Sequence, residues 1–306
     1  PSGSSVGRRA LGRPPIRVKA LRRWSGYGLA VNLVWALLIT LSIAAVTITA
    51  MLLVRRGAPE GSYFTDGDRA SGVFGVIATG FSVLLGFIVF LAFTSYDQSR
   101  AGAETEALMI AQQVPTAQFF AAPAATTLTG ELVCYARFVV NDEWDRMRDG
   151  TIGNSINPWG VAMFKTLRAV DPKTASEQSA YDRWLEQTGQ REEARLDRIH
   201  GAEGVIPTPL WVVLFFIAGI IFVYMLFFAD PGEGRVTQAM LMGGVASVIT
   251  VLFLLLGSLD RPFHDGVGGL QPVAMERSQE LIDRALAAIE GQVVVPCNAN
   301  GVRAGS

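Results

Sequence analysis

GLAVNLVWALLITLSIAAVTITAMLLV, residues 28–54, contains no Asp, Glu, Lys, Arg or His. As a helix rising about 1.5 Å per residue it can cross roughly 30 Å of hydrocarbon. Three further charge-free runs, Ser71 to Ser95, Val205 to Ala229 and Val236 to Leu259, have a comparable reach. A backbone in lipid must satisfy its own hydrogen bonds, so uninterrupted runs of this length read as helices rather than open strands. Four of them make buried helices of a soluble protein the poorer explanation. The sequence therefore predicts an all-α membrane protein with four transmembrane helices and a helical cytoplasmic domain between the second and third spans. Composition agrees: 50% of residues are apolar and 17% are charged, against about a quarter charged in soluble domains.

Charge fixes the expected orientation. Arg8, Arg9, Arg13, Arg17, Lys19, Arg22 and Arg23 precede the first span with no acidic residue among them, which places the N-terminus in the cytoplasm of an inner (plasma) membrane protein. The loop after the first span is nearly balanced, with Arg55, Arg56 and Arg69 against Glu60, Asp66 and Asp68, and belongs outside. Both the central domain and the C-terminus then return to the cytoplasm. Trp24, Tyr27, Tyr96 and Trp211 fall at the expected inner interface. The apolar run is too long for the core of a signal peptide.

The chain divides into a basic, Gly/Pro/Ser-rich tail over 1–26, expected to be disordered, spans one and two over 27–95, a helical domain over 96–206, spans three and four over 207–259, and a C-terminal segment over 260–306. Nothing breaks the second span before Pro115, so it should project from the membrane as one long helix. A second helix of the domain should follow Pro123 and stop before Gly150. A third starts at Asn157-Pro158 and reaches about Val170. A fourth opens on the capping box Thr174 to Glu177 and carries charge to about His200. The third span begins near Pro207, and Ser278 to Ile289 reads as an amphipathic helix. No strand pattern or repeat is apparent. Cys134 and Cys297 are too few for a disulfide framework, and on the cytoplasmic side they are expected to be reduced thiols.

No phosphate-binding loop, nucleophile elbow or His-Glu-x-x-His appears, and His200 and His264 have no cysteine at zinc-ligand spacing. The reading is no enzyme, no catalytic residue, no metal and no cofactor. No basic stripe suggests nucleic acid. The spans carry no ionisable residue, which argues against proton pumps and coupled carriers but not against a channel with an apolar constriction.

The second span has two sides. Ser71, Gly75, Ser82 and Gly86 form small-x-x-x-small steps suited to close helix packing, and Gly243 and Ser247 do the same in the fourth. Opposite lie Ile77, Phe81, Leu84 and Ile88, which meet lipid in a monomer or an axis in a ring of subunits.

The order of spans and helices from Gly28 to Ile282 resembles the bestrophin-like domain family of bacterial membrane proteins. The resemblance rests on Glu106-Ala107, on Tyr135-Ala136-Arg137-x-Val139-Val140 leading to Glu143-Trp144, and on Leu259-Asp260-Arg261-Pro262-Phe263. It implies distant similarity to bestrophins, pentameric chloride channels whose second helices surround an apolar neck, with Ile77, Phe81, Leu84 and Ile88 as the neck positions here. Bestrophins of animals add an acidic calcium clasp after the fourth span. Only Asp265 remains of it in this chain, too few oxygens for calcium. The expectation is a homo-oligomeric, anion-permeable channel in the lipid bilayer. Its alternative is a non-conducting scaffold whose cytoplasmic helices bind a protein partner.

Overall fold

The structure, a computed structural model, describes residues 26–153, 155–288 and 293–303, with side chains from 33 onward and that of 288 left out. The basic tail, Trp24 and the Tyr27 side chain lie outside the described residues. Among the described residues there is no strand; the only bridge-like pairing is between Cys297 and Arg303.

Among the described residues four helices are long and apolar enough to cross a membrane. They are α1 (Gly26–Arg55), the first part of α2 (Gly67–Ala117), α7 (Thr208–Phe227) and α8 (Arg235–Asp260). Asp66 caps α2 by accepting from the Arg69 N–H, which satisfies one of the donors that a helix start leaves free. From there α2 runs 51 residues without a break, about 76 Å at 1.5 Å per residue. More than half of that length extends beyond the bilayer. Pro115 lies inside the last turn, and the helix ends two residues past it rather than before it.

The extension of α2 is the spine of a polar helical domain. Around it stand α3 (Ala124–Phe138), a π turn over Val139–Glu143, α4 (Trp144–Arg148), α5 (Pro158–Arg168) and α6 (Ala175–His200), joined by α9 (Val273–Ala288) after the last span. Asn157 caps α5 through the Trp159 N–H. Thr174 and Glu177 cap α6 reciprocally, so the expected capping box is present. The π turn was not legible in the pattern; it turns Glu143 and Trp144 inward, where both are buried. The sequence places the amphipathic helix near the C-terminus from Ser278, but it starts earlier, at Val273.

Among the described residues there are two cores. One lies within the bundle of spans, where Phe81, Leu85, Ile88 and Ala92 of α2 meet Leu214, Ala218 and Ile221 of α7 and Ile249 and Leu256 of α8. The other fills the helical domain around Ile110, Leu132, Tyr135, Trp144, Trp159 and Trp184. Glycine decides one contact in the second. A Cβ on Gly102 would stand 2.6 Å from the Ala194 carbonyl oxygen and from the Arg198 nitrogen, so only glycine lets α6 lie this close to α2.

The cysteines correct the sequence reading. Cys134 and Cys297 are not reduced thiols but a disulfide. Their 163-residue separation hid the pairing, because only the path of the C-terminal segment brings them together. Residues 293–303 return as a strap along α3. Gly130 and Gly301 leave room for its backbone at Val294 and beside Phe138, and the Trp159 indole donates to the Gly301 carbonyl at 2.6 Å.

Candidate functional site

The membrane part of α2 presents opposite faces to different surroundings. Phe81 and Ile88, expected at a neck, are 5% and 4% exposed and turn into the protomer against α7 and α8. Ile77 and Leu84 are partly buried against the same cluster. The bulkiest stripe of α2 thus finds apolar partners within its own chain. Ser71, Gly75, Ser82 and Gly86 are exposed, and among the described residues nothing from another helix stands within 4 Å of where a Cβ on Gly75 or Gly86 would be. At Gly243, Ile48 of α1 sits 2.9 Å from where a Cβ would be. The Ser247 hydroxyl donates to the Gly243 carbonyl.

The face of α2 turned away from its own bundle carries Gly72, Val76, Thr79, Val83, Phe87, Phe90 and Thr94. Steps of three and four residues put them on one side of the helix. Val76, Val83, Phe87 and Phe90 are 74%, 54%, 65% and 66% exposed. Past the membrane the same stripe continues through Asp97, Ala101, Glu104 and Leu108, also exposed. Glu104 pairs with Arg100.

Directly beyond the membrane, charged residues are buried on the inward side of α2. Arg198 of α6 and both carboxylates it meets are inaccessible to solvent. Arg198 donates through Nε to Glu106 Oε2 and through Nη2 to Glu143 Oε2, each at 2.5 Å. Arg195 reaches Glu143 Oε1 at 2.9 Å, the Asn157 amide donates to the same oxygen at 3.1 Å, and the Tyr135 hydroxyl donates to Glu106 Oε1 at 2.6 Å. Two carboxylates therefore face two guanidiniums, which satisfies the charge that burial would otherwise penalise. Burial raises the Glu143 pKa, but Arg198 and Arg195 outweigh it and hold the carboxyl below its usual range. Burial, then the neighbouring Glu106, push the Tyr135 phenol well above its usual value, so it stays a hydrogen-bond donor. Next to this cluster, Arg191 donates to Gln113 Oε1 at 2.9 Å and lies over the Tyr135 ring.

The remaining motif residues converge here. The Trp144 indole donates to the Leu270 carbonyl, its ring packs edge-on with Phe263, and Arg198 lies 5.7 Å from its centre. Asp260 ends α8 and accepts from the N–H groups of Val205 and Ile206, both at 2.8 Å, which ties the entrance of α7 to the exit of α8. Pro262 and Phe263 are buried just below. Sequence reasoning missed Arg191, Arg195 and Arg198 and read α6 only as a charged stretch. The signal was its spacing: Ala180, Trp184, Gln187, Arg191, Arg195 and Arg198 follow one another by threes and fours on a single buried face. The cluster fastens α2, α3, the π turn and α6 into one body at the membrane boundary. Among the described residues no three His, Cys, Asp or Glu side chains gather as a metal site.

A family model described as Bestrophin-like domain matches residues 41–275. The fold matches the crystal structure of a bacterial bestrophin homolog from Klebsiella pneumoniae with a TM-score of 0.61 at 11% identity, over 83% of this chain and 98% of that one. A variant of that protein matches with a TM-score of 0.59 at 14% identity, over 85% of this chain and 99% of the other. At such identities the likeness speaks for the fold. No curated protein matches the chain.

Proposed function

This chain belongs to the Bestrophin-like domain family, and from that premise we propose that it is a homo-oligomeric ion channel, a pentamer by the family resemblance, whose passage runs along the outward stripe of α2. The observation that carries the proposal is that stripe itself. Val76, Thr79, Val83, Phe87 and Phe90 are left uncovered by the chain's own helices, and a ring of copies would give them a shared axis. Small residues alternate with Val and Phe along it, so such a ring would be roomy at Gly72 and Thr79 and narrow at Val83 to Phe90. An apolar neck of this kind gates by dewetting and needs no charge within the membrane. The neck positions become Val83, Phe87 and Phe90 in place of the buried Phe81 and Ile88.

Anion passage is what the resemblance to bestrophins implies. One observation favours cations: Asp97 stands exposed on the same stripe just beyond the membrane, where a ring of carboxylates would attract cations and repel anions. The basic cluster before α1 supports a cytoplasmic side for the helical domain and both termini. No catalytic step belongs to this reading.

The test is reconstitution. Protein in native-like lipid should show a mass several times 32.9 kDa, and liposomes carrying it should pass ions under a salt gradient, with the reversal potential reporting the sign. A single copy per particle, or oligomers that pass neither chloride nor potassium, would overturn the proposal.

A further inference from the structure

A groove of about 800 Å3 lies between α1 and α8, at the end of the spans remote from the helical domain. Its walls are apolar or small, with Leu52 on one side and Met240, Gly244 and Ser247 on the other. Nothing stands within 4 Å of a would-be Cβ on Gly244, so the space is open along the helix. Its mouth is basic, bordered by Arg55, Arg56 and Arg235.

The three arginines are not equivalent. Arg55 is committed to the protein, donating to Gln238 Oε1 at 2.8 Å and to the Pro231 carbonyl at 2.9 Å. Arg56 and Arg235 are exposed, and neither makes an ion pair among the described residues. The nearby carboxylate of Asp230 is engaged by the N–H groups of Gly61 and Gly232, while Glu60 and Glu233 do not line the groove. At the same mouth α8 begins without a side-chain cap, so its free N–H groups and dipole add to the positive field.

We propose that this groove binds one anionic phospholipid, its phosphate between Arg56 and Arg235 and an acyl chain between α1 and α8. The apolar slot sets a lipid apart from a free anion, and the two arginines, which make no ion pair among the described residues, set an anionic headgroup apart from a zwitterionic one. The site is built by α1, α8 and the turns at their ends and stands whether or not the chain conducts.

Native mass spectrometry of the full chain in mixed micelles of equal phosphatidylglycerol and phosphatidylcholine tests it. Phosphatidylglycerol should be retained in preference, and the double variant Arg56→Gln/Arg235→Gln should cut that preference by about 30-fold, the share of two basic residues beside an anionic headgroup. Gly244→Leu, which fills the slot, should lose both lipids while keeping its helical circular dichroism. Equal retention of both lipids by the unaltered protein would overturn the proposal. So would an unchanged preference in the double variant, displacement of the lipid by inorganic phosphate, or thiol crosslinks between Leu52→Cys and Met240→Cys of different copies showing that a neighbour fills the groove.

Discussion

Arg198 is where one side chain carries the most. It is shared by Glu106 and Glu143 with no solvent access, so its removal leaves two carboxylates against a single remaining guanidinium, that of Arg195. Arg198→Leu should destabilise the helical domain by about 3–5 kcal/mol, the usual cost of breaking a buried pair from one side, read as a shift in chemical denaturation. Arg198→Lys should recover part of this loss, since a point charge cannot bridge both carboxylates as the guanidinium fork does. The same cluster sets an acid limit. Glu143 titrates below its ordinary 4.5 in the folded chain, so its contribution is fully present above that value and is lost as pH falls through the lowered folded pKa. Glu143→Gln should therefore lower stability at pH 7 and flatten the acid limb of the stability profile; a limb of unchanged slope would remove Glu143 from the account. Gly102→Ala adds a methyl where 2.6 Å is available, and should cost about 1–3 kcal/mol by overpacking, while the exposed Gly75 should tolerate alanine.

At the scale of elements, the spans were legible because lipid enforces a simple rule: length without charge. Capping at Asn157 and Thr174 was legible for the same kind of reason, since a helix start needs those side chains locally. Face assignment in α2 was not. A stripe of Ile, Phe and Leu looks alike whether it meets a neighbouring helix, lipid or a pore, and only the docking of α7 and α8 shows that Phe81 and Ile88 are spent inside the protomer. The buried arginines of α6 were hidden because charge usually marks a wet face, and here paired carboxylates from α2 and the π turn reverse that. The strap over 293–303 was hidden because its partners lie far away in sequence. Its disulfide closes a loop of more than 160 residues, and replacing both Cys134 and Cys297 by Ala should lower stability by about 2–4 kcal/mol. Equal stability of the oxidised and reduced protein would show that the strap is held by Trp159, Gly301 and packing alone.

For the whole molecule two signals of sidedness oppose each other. The seven basic residues before α1 favour a cytoplasmic helical domain, whereas a disulfide persists best in an oxidising compartment. A reporter fused after residue 306 separates them: a cytoplasmic reading is what the proposed orientation expects, and a reading on the opposite side would agree with the disulfide and overturn that orientation. The central claim is that the outward stripe of α2 surrounds a water-filled axis in an assembly of copies. Because both native cysteines are bonded to each other, a single introduced thiol can be probed without altering them. In liposomes, a charged thiol reagent should block ion flux through Val83→Cys and leave flux through Phe81→Cys unchanged. Block at Phe81→Cys with none at Val83→Cys, or no block at either, would contradict the account.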